Sequence, residues 1–170
     1  ITQQLIEGVR FAHSIGITHR NLHCGHLLVD EKRNNNQGQL VIASWAASRG
    51  TRDCGKKSPL RSCTVPYYIA PEGLLMSDSF LNVDSDDDDE DNFVKKWLTK
   101  PKPYTQAVDL WACGCVFAEF ILGASLFNKF AYYEGAEQLD QMLCIFKLLG
   151  TPNKKTWPDV VNIPGWHDDN

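Results

Sequence analysis

The segment from Thr105 to Gly123, TQAVDLWACGCVFAEFILG, contains only two charged side chains, Asp109 and Glu119. A helix that is apolar on every side has to be enclosed by neighbouring elements or by lipid, because water would otherwise meet its surface all round. The apolar stretch from Val108 to Phe127 is long enough to cross a bilayer. A core helix has the same signature and is the expected reading, with no membrane as partner. The chain must then supply the elements that surround it. At 170 residues, with 43% hydrophobic and 22% charged side chains, it can build one domain around one core.

Those elements can be read along the chain. Leu5, Val9 and Ala12 recur at helical spacing, Ile6 widens their stripe, and Gly16 ends it. No cap residue and no Met precedes this helix, so the chain is expected to be a fragment of a longer protein. HLLVD and QLVIAS are short apolar runs around a polar EKRNNNQG loop, which predicts a small β-hairpin. A second amphipathic helix is expected from about Ala136, with Leu139, Met142, Leu143, Phe146 and Leu149 on its face. Gly150-Thr151-Pro152 stops it. Arg49 to Cys63 reads as a mobile loop, and residues 77–103 as an acidic, disordered insertion. The expected fold is mostly α, with a short hairpin.

Charge and cysteine content narrow the function classes. Within Asp84 to Asp91, seven of eight residues are acidic, and the net charge of −4 gives no general attraction to nucleic acid. The acidic run is read first as a solvated insertion. Docking of a basic partner, or phosphorylation at Ser77, Ser79 or Ser85, are its alternatives. Six cysteines are too sparse for a disulfide scaffold, so a reducing compartment is expected, cytoplasmic or nuclear. Cys113 and Cys115 suit small buried thiols. Trp111, Trp157 and Trp166 are expected as core or loop anchors.

THRNLHCGHLLVD, Thr18 to Asp30, holds three histidines and a cysteine within eight residues. His19, His23 and His26 at i, i+4 and i+7 with Cys24 would suit zinc if the segment were helical. It reads instead as a loop entering a strand, and no second ligand pair follows at finger spacing. No metal is therefore expected, with a metal-binding module kept as the minor alternative.

Several stretches, in order, resemble protein kinases. THRNLH…LLVD resembles the catalytic loop, VIASWAASR stands where Asp-Phe-Gly would be, and YYIAPEGLL carries Ala70-Pro71-Glu72. AVDLWACGCVFAE is similar to the Asp-x-Trp-x-x-Gly helix through Asp109, Trp111 and Gly114, and IFKLLGTPNKKTWPDV resembles cyclin-dependent kinases. The resemblance implies a protein-kinase-like α+β fold of the CMGC group, with residues 1–170 forming the C-terminal lobe only. The family uses ATP and magnesium. None is expected for this fragment, because the resemblance places half of the nucleotide cleft in the other lobe.

Carried over position by position, the resemblance implies a disarmed site. Asn21 takes the place of the catalytic aspartate, and an amide cannot accept the substrate's proton. Loss of a general base costs roughly 10²–10⁴ in rate, or about 3–5 kcal/mol. His23 replaces the catalytic-loop lysine. His26 and Ser44 replace the magnesium-binding asparagine and aspartate, although magnesium prefers anionic oxygen. Ala46 takes the glycine position of Asp-Phe-Gly.

His19, Trp45, Glu72, Asp109 and Trp111 are expected to be structural. Asp109 would accept hydrogen bonds from the catalytic-loop backbone, and Glu72 would lack the arginine that pairs with it in the family. Arg20 and Arg49 match a pair that clamps a phosphorylated loop residue, with Ser58, Ser62 and Thr64 as candidate acceptors. Inherited scaffold is the equal alternative for both arginines. Ile69 replaces the arginine that precedes Ala-Pro-Glu in cyclin-dependent kinases, which removes a basis for proline-directed specificity.

The expected function is a pseudokinase that acts through protein partners, a cyclin-like subunit among them by family. An atypical active serine/threonine kinase is the alternative. A fragment with no stable product is the third reading.

Overall fold

The computed structural model describes residues 1–33, 38–50, 64–75, 105–127 and 137–162. The expected acidic insertion, Ser58, Ser62, Ser77, Ser79, Ser85 and Trp166 lie outside these residues.

Helix α1, Thr2–Ser14, buries Leu5, Val9 and Ala12 as its periodicity predicts, whereas Ile6, expected to widen the stripe, is exposed. Its chain exits through Gly16, which adopts φ 76°, a left-handed conformation that favours glycine. Strand β1, Ile17–Thr18, follows and leads into the loop of interest. A 3₁₀ turn at Cys24–His26 then feeds β2, Leu27–Asp30, which pairs antiparallel with β3, Gln39–Ile42. Leu27 lies opposite Ile42 and Asp30 opposite Gln39, which is the hairpin predicted from the apolar runs. A second 3₁₀ turn, Trp45–Ala47, precedes β4, Arg49–Gly50, which returns to pair with β1.

The hairpin sits on α1 through specific contacts. Gln4 Oε1 accepts the Leu40 backbone N–H at 2.6 Å, and its Nε2 reaches Gly38 O at 3.4 Å. Gly8 lets Ile42 approach, since a Cβ there would stand 2.8 Å from Ile42 Cδ1.

After a 3₁₀ turn at Pro66–Tyr68 come α2, Pro71–Leu75, then α3, Ala107–Leu122, and α4, Glu137–Leu149. A final 3₁₀ turn covers Pro158–Asn162. The core joins Leu5 and Val9 of α1, Leu22 of the loop, Ile69, Ala70 and Leu74, with Val108, Ala112 and Val116 of α3. Met142 and Ile145 of α4 complete it.

Two helical faces differ from expectation. Helix α3 is not enclosed all round: Leu110, Phe117, Phe120, Ile121 and Leu122 are exposed, and only one side faces the core. Apolar content states what a helix can bury, whereas the neighbours available decide what it does bury. In α4 the buried stripe is Gln141, Met142, Cys144 and Ile145, with Leu143 and Leu149 outside. The stripe is rotated because α4 packs against α2 and the Pro66–Tyr68 turn, with Gln141 Nε2 reaching Ile69 O at 3.5 Å. No helix among the described residues is long and apolar enough to cross a membrane.

Candidate functional site

Asp109, in the first turn of α3, is almost completely buried and carries the loop. Its Oδ2 accepts the His19 backbone N–H at 2.8 Å, and its Oδ1 accepts that of Arg20 at 2.8 Å. His13 Nε2, from the last turn of α1, also lies 2.8 Å from Oδ2. Three groups from two segments thus converge on one carboxylate. They hold Arg20 at φ 72°, a conformation that costs a non-glycine residue about 1–2 kcal/mol. Such strain persists only where the surroundings over-determine it, as two charge-assisted hydrogen bonds do here.

Asn21 is the hub of the loop. Its backbone N–H donates to His19 Nδ1 at 3.2 Å, and its carbonyl faces His26 Nδ1 at 2.8 Å. Its side-chain Oδ1 accepts the Val65 backbone N–H at 3.3 Å. One residue away, the Thr64 hydroxyl donates to Arg20 O at 2.5 Å. Segment Thr64–Val65 therefore lies against the loop, bonded to it twice. The amide at position 21 is engaged in that contact. Thr64, one of the candidate phosphate acceptors, is half-buried with its hydroxyl committed to a carbonyl.

His19 is fully buried. Its Nε2 donates to Ala43 O at 2.9 Å, and its ring centre lies 4.5 Å from that of Trp45 in an edge-to-face arrangement. His23 accepts the Gly25 N–H on Nδ1 at 3.1 Å, and its ring centre lies 3.8 Å from that of His26. Burial pulls His19 below the ordinary imidazole value. His23 is also pulled down, first by burial and then by His26. Both rings are therefore neutral near pH 7. Position 23 supplies no fixed positive charge of the kind a lysine would.

The zinc alternative fails on this geometry. Both ring nitrogens of His19 and the Nδ1 atoms of His23 and His26 are turned to backbone groups, and the Cys24 thiol lies against Tyr68 and Glu119. Burial and that carboxylate push the thiol up, away from the thiolate a metal needs. No three His, Cys, Asp or Glu side chains converge on an ion among the described residues.

Ser44 lies at φ 64°, ψ 55°, and its hydroxyl caps nothing in the turn that follows. Ala46 sits inside that turn, and Trp45 donates its indole N–H to Ile42 O at 2.9 Å while remaining partly exposed. Arg20 is buried and Arg49 is exposed. Their backbones are near one another, because Arg49 pairs with Thr18. Glu72 is half-buried in α2, and burial raises its carboxyl above the usual range. Trp111 stacks on Phe127 at 5.9 Å, with no partner for its indole N–H among the described residues. Trp157 is half-buried beside the Pro158–Asn162 turn.

His26 and Ser44 therefore offer an imidazole and a neutral hydroxyl. That donor set does not fit magnesium, which seeks several oxygens and favours carboxylates.

Two parts of the site carry no signal in the sequence reading. His13 is the third group on Asp109. Its place in the last turn of α1 suits a helix C-terminus but does not name a partner 96 positions away. The second is a side-chain cluster of Tyr68, Glu119 and Cys24. The Tyr68 hydroxyl donates to Glu119 Oε2, and burial together with this bond raises Tyr68 far above the ordinary phenol value. Cys113 and Cys115 are buried, with thiols pushed up to about 12 mainly by burial.

Residues 1–167 match the protein kinase domain family. Cyclin-dependent kinase B2-1 of Oryza sativa subsp. japonica is 34% identical over 165 residues, covering 97% of this chain and 40% of that protein. Cyclin-dependent kinase 20 of Rattus norvegicus is 28% identical over 165 residues, covering 97% of this chain and 38% of its own length. The chain thus spans about two fifths of the curated relatives it matches. Among solved structures, the yeast RNA Pol II CTD kinase CTDK-1 complex superposes with a TM-score of 0.66 at 24% identity, covering 96% of this chain and 41% of the other. At that identity the likeness shows the fold alone.

Proposed function

This chain belongs to the protein kinase domain family, with cyclin-dependent kinases among its relatives, and from that premise we propose that it is a C-terminal kinase lobe acting through protein contacts without transferring phosphate. The observation that carries the reading is the state of Asn21. The side chain in the catalytic aspartate's place is an amide whose oxygen accepts the Val65 N–H. Phosphoryl transfer depends on positioned magnesium and an oriented hydroxyl far more than on covalent help from the protein. His26 and Ser44 bring no anionic oxygen for the metal, and His23 is neutral. These changes act on one constellation, so their costs do not add, yet all point the same way.

A cyclin-like subunit is the proposed partner class, resting on the relatives' names alone. An intracellular setting is proposed from the four free thiols among the described residues.

A second reading, an atypical active serine/threonine kinase, is favoured by one observation: Asp109 still grips the His19 and Arg20 amides, so the loop scaffold is built. One experiment separates the two. Calorimetry with ATP and magnesium, and phosphate transfer to a generic substrate, are run on the purified protein, Asn21→Asp and Asn21→Ala. The proposal expects no magnesium-dependent nucleotide uptake and no transfer above background in the natural sequence. Tight uptake that needs the ion would overturn it. The second reading expects transfer that rises with Asn21→Asp and falls with Asn21→Ala.

A further inference from the structure

The two tight turns of the loop are each closed by an imidazole acting as acceptor. His19 Nδ1 accepts from Asn21 N, while its Nε2 faces a carbonyl, Ala43 O. A carbonyl only accepts, so Nε2 carries the hydrogen and Nδ1 presents its lone pair. His23 Nδ1 accepts from Gly25 N in the same i to i+2 pattern. A backbone N–H only donates, so this ring too must leave Nδ1 bare. Protonating either imidazole places the new hydrogen on the nitrogen that was the acceptor. Two donors then face one another, and the turn loses its closing bond. His26 lies 3.8 Å from the His23 ring centre and 6.2 Å from that of His19, so charge on one ring is opposed by charge on the next.

We propose that the loop Thr18–His26 is a proton-operated latch, closed against Thr64–Val65 while His19 and His23 are neutral and released when they are protonated. Asn21 connects the parts. Its amide is held by His19, its side chain holds Val65, and its carbonyl meets His26.

The surrounding groups do not reverse the balance. Glu119 on α3 favours charge on His23, and Asp109, shared with His13 of α1, favours it on His19. Tyr68 faces His23 with its ring centre at 5.7 Å, and its hydroxyl is already given to Glu119. Cys24 lies against the same pair, and Trp45 covers His19. Burial outweighs both carboxylates, so both rings sit below the ordinary value of 6.5. The unfolded chain therefore takes up protons first. The latch contributes fully above that ordinary value and weakens as pH falls below it, until the folded rings titrate. This inference rests on hydrogen-bond direction in the loop and is independent of whether the protein transfers phosphate.

Imidazole nitrogen NMR and amide hydrogen exchange on the full chain, between about pH 7.5 and about pH 5, test it. At neutral pH both rings should show a bare Nδ1 and a protonated Nε2. Amide protection at Asn21, Gly25 and Val65 should fall by up to about ten-fold per pH unit between the ordinary imidazole value of 6.5 and the lowered ring values, while Val9 in α1 stays protected. In His23→Asn the side-chain oxygen can accept the Gly25 N–H without titrating. Protection at Gly25 should then become independent of pH, while that at Asn21 still falls. The proposal is overturned by a protonated Nδ1 at neutral pH, by flat protection at Gly25 in the natural sequence, or by equal loss at Val9. Unchanged pH dependence at Gly25 in His23→Asn overturns it as well. Should that variant not fold, the ring tautomers and protection in the natural sequence decide alone.

Discussion

Replacing Asp109 probes the joint on which the loop depends. In Asp109→Ala the backbone N–H groups of His19 and Arg20 lose acceptors at 2.8 Å each, in a site with almost no water access. An unsatisfied buried donor costs about 1–3 kcal/mol. Removing a charged partner of several hydrogen bonds costs about 3–5 kcal/mol in total. Such a loss is a large share of the ~5–15 kcal/mol that stabilises a domain. Asp109→Asn is the sharper variant. Its one remaining oxygen can serve Arg20 N or His19 N, and its NH₂ then confronts the other N–H. A loss of about 2 kcal/mol is expected, from one unsatisfied donor and a weakened acceptor. His13→Ala should cost less than either, because both backbone bonds survive. Urea unfolding followed by tryptophan fluorescence measures all three, with exchange at the His19 and Arg20 amides as the local readout. If Asp109→Asn unfolds within about 0.5 kcal/mol of the natural sequence, and both amides stay protected, the three-way clamp is refuted.

Three further outcomes are expected. Gly25→Ala would place a Cβ 2.9 Å from His23 Cε1 and 3.1 Å from Nδ1; the crowding should cost about 1–3 kcal/mol, and a neutral substitution in urea unfolding would count against the His23 geometry. Ser44→Gly relieves a left-handed serine and should stabilise by up to about 1 kcal/mol, whereas Ser44→Val should destabilise; the opposite order in thermal unfolding would contradict the backbone assignment. Burial raises Glu72 above its ordinary value of 4.5, so the folded state binds a proton more readily than the unfolded one. Stability from this group is full at acid pH and declines as pH rises through the ordinary value towards the raised one. Glu72→Gln should therefore stabilise the protein at neutral pH, with the gain fading below pH 4.5, and a gain that is constant with pH would exclude the cause.

Much of the local structure was legible beforehand, for identifiable reasons. Short apolar runs around a polar loop placed the Leu27–Asp30 and Gln39–Ile42 hairpin, and helical spacing placed the Leu5, Val9, Ala12 stripe, because it makes one face of the helix water-averse. The order of short motifs led to the kinase family, to which residues 1–167 belong. The faces of the later helices were less legible. Helix α4 buries Cys144 and Ile145 where periodicity favoured Leu143 and Leu149, and α3 leaves Phe117 and Ile121 exposed. An apolar stripe broad enough to rotate is oriented by the partner it packs against.

Residue type and spacing alone determined which chemistry the loop can hold: an amide at 21, imidazoles at 23 and 26, and a hydroxyl at 44. Tertiary structure alone decided what those groups do. His13 meets Asp109 across 96 positions, Asn21 meets Val65 across 44, and Tyr68 meets Glu119 across 51. Each contact is only a few ångströms long, and a hydrogen bond depends on that distance and on direction. Neither is encoded by a neighbour in sequence. Both arise when the core closes around α3 and brings the loop, the Thr64–Val65 segment and the helix ends to one place.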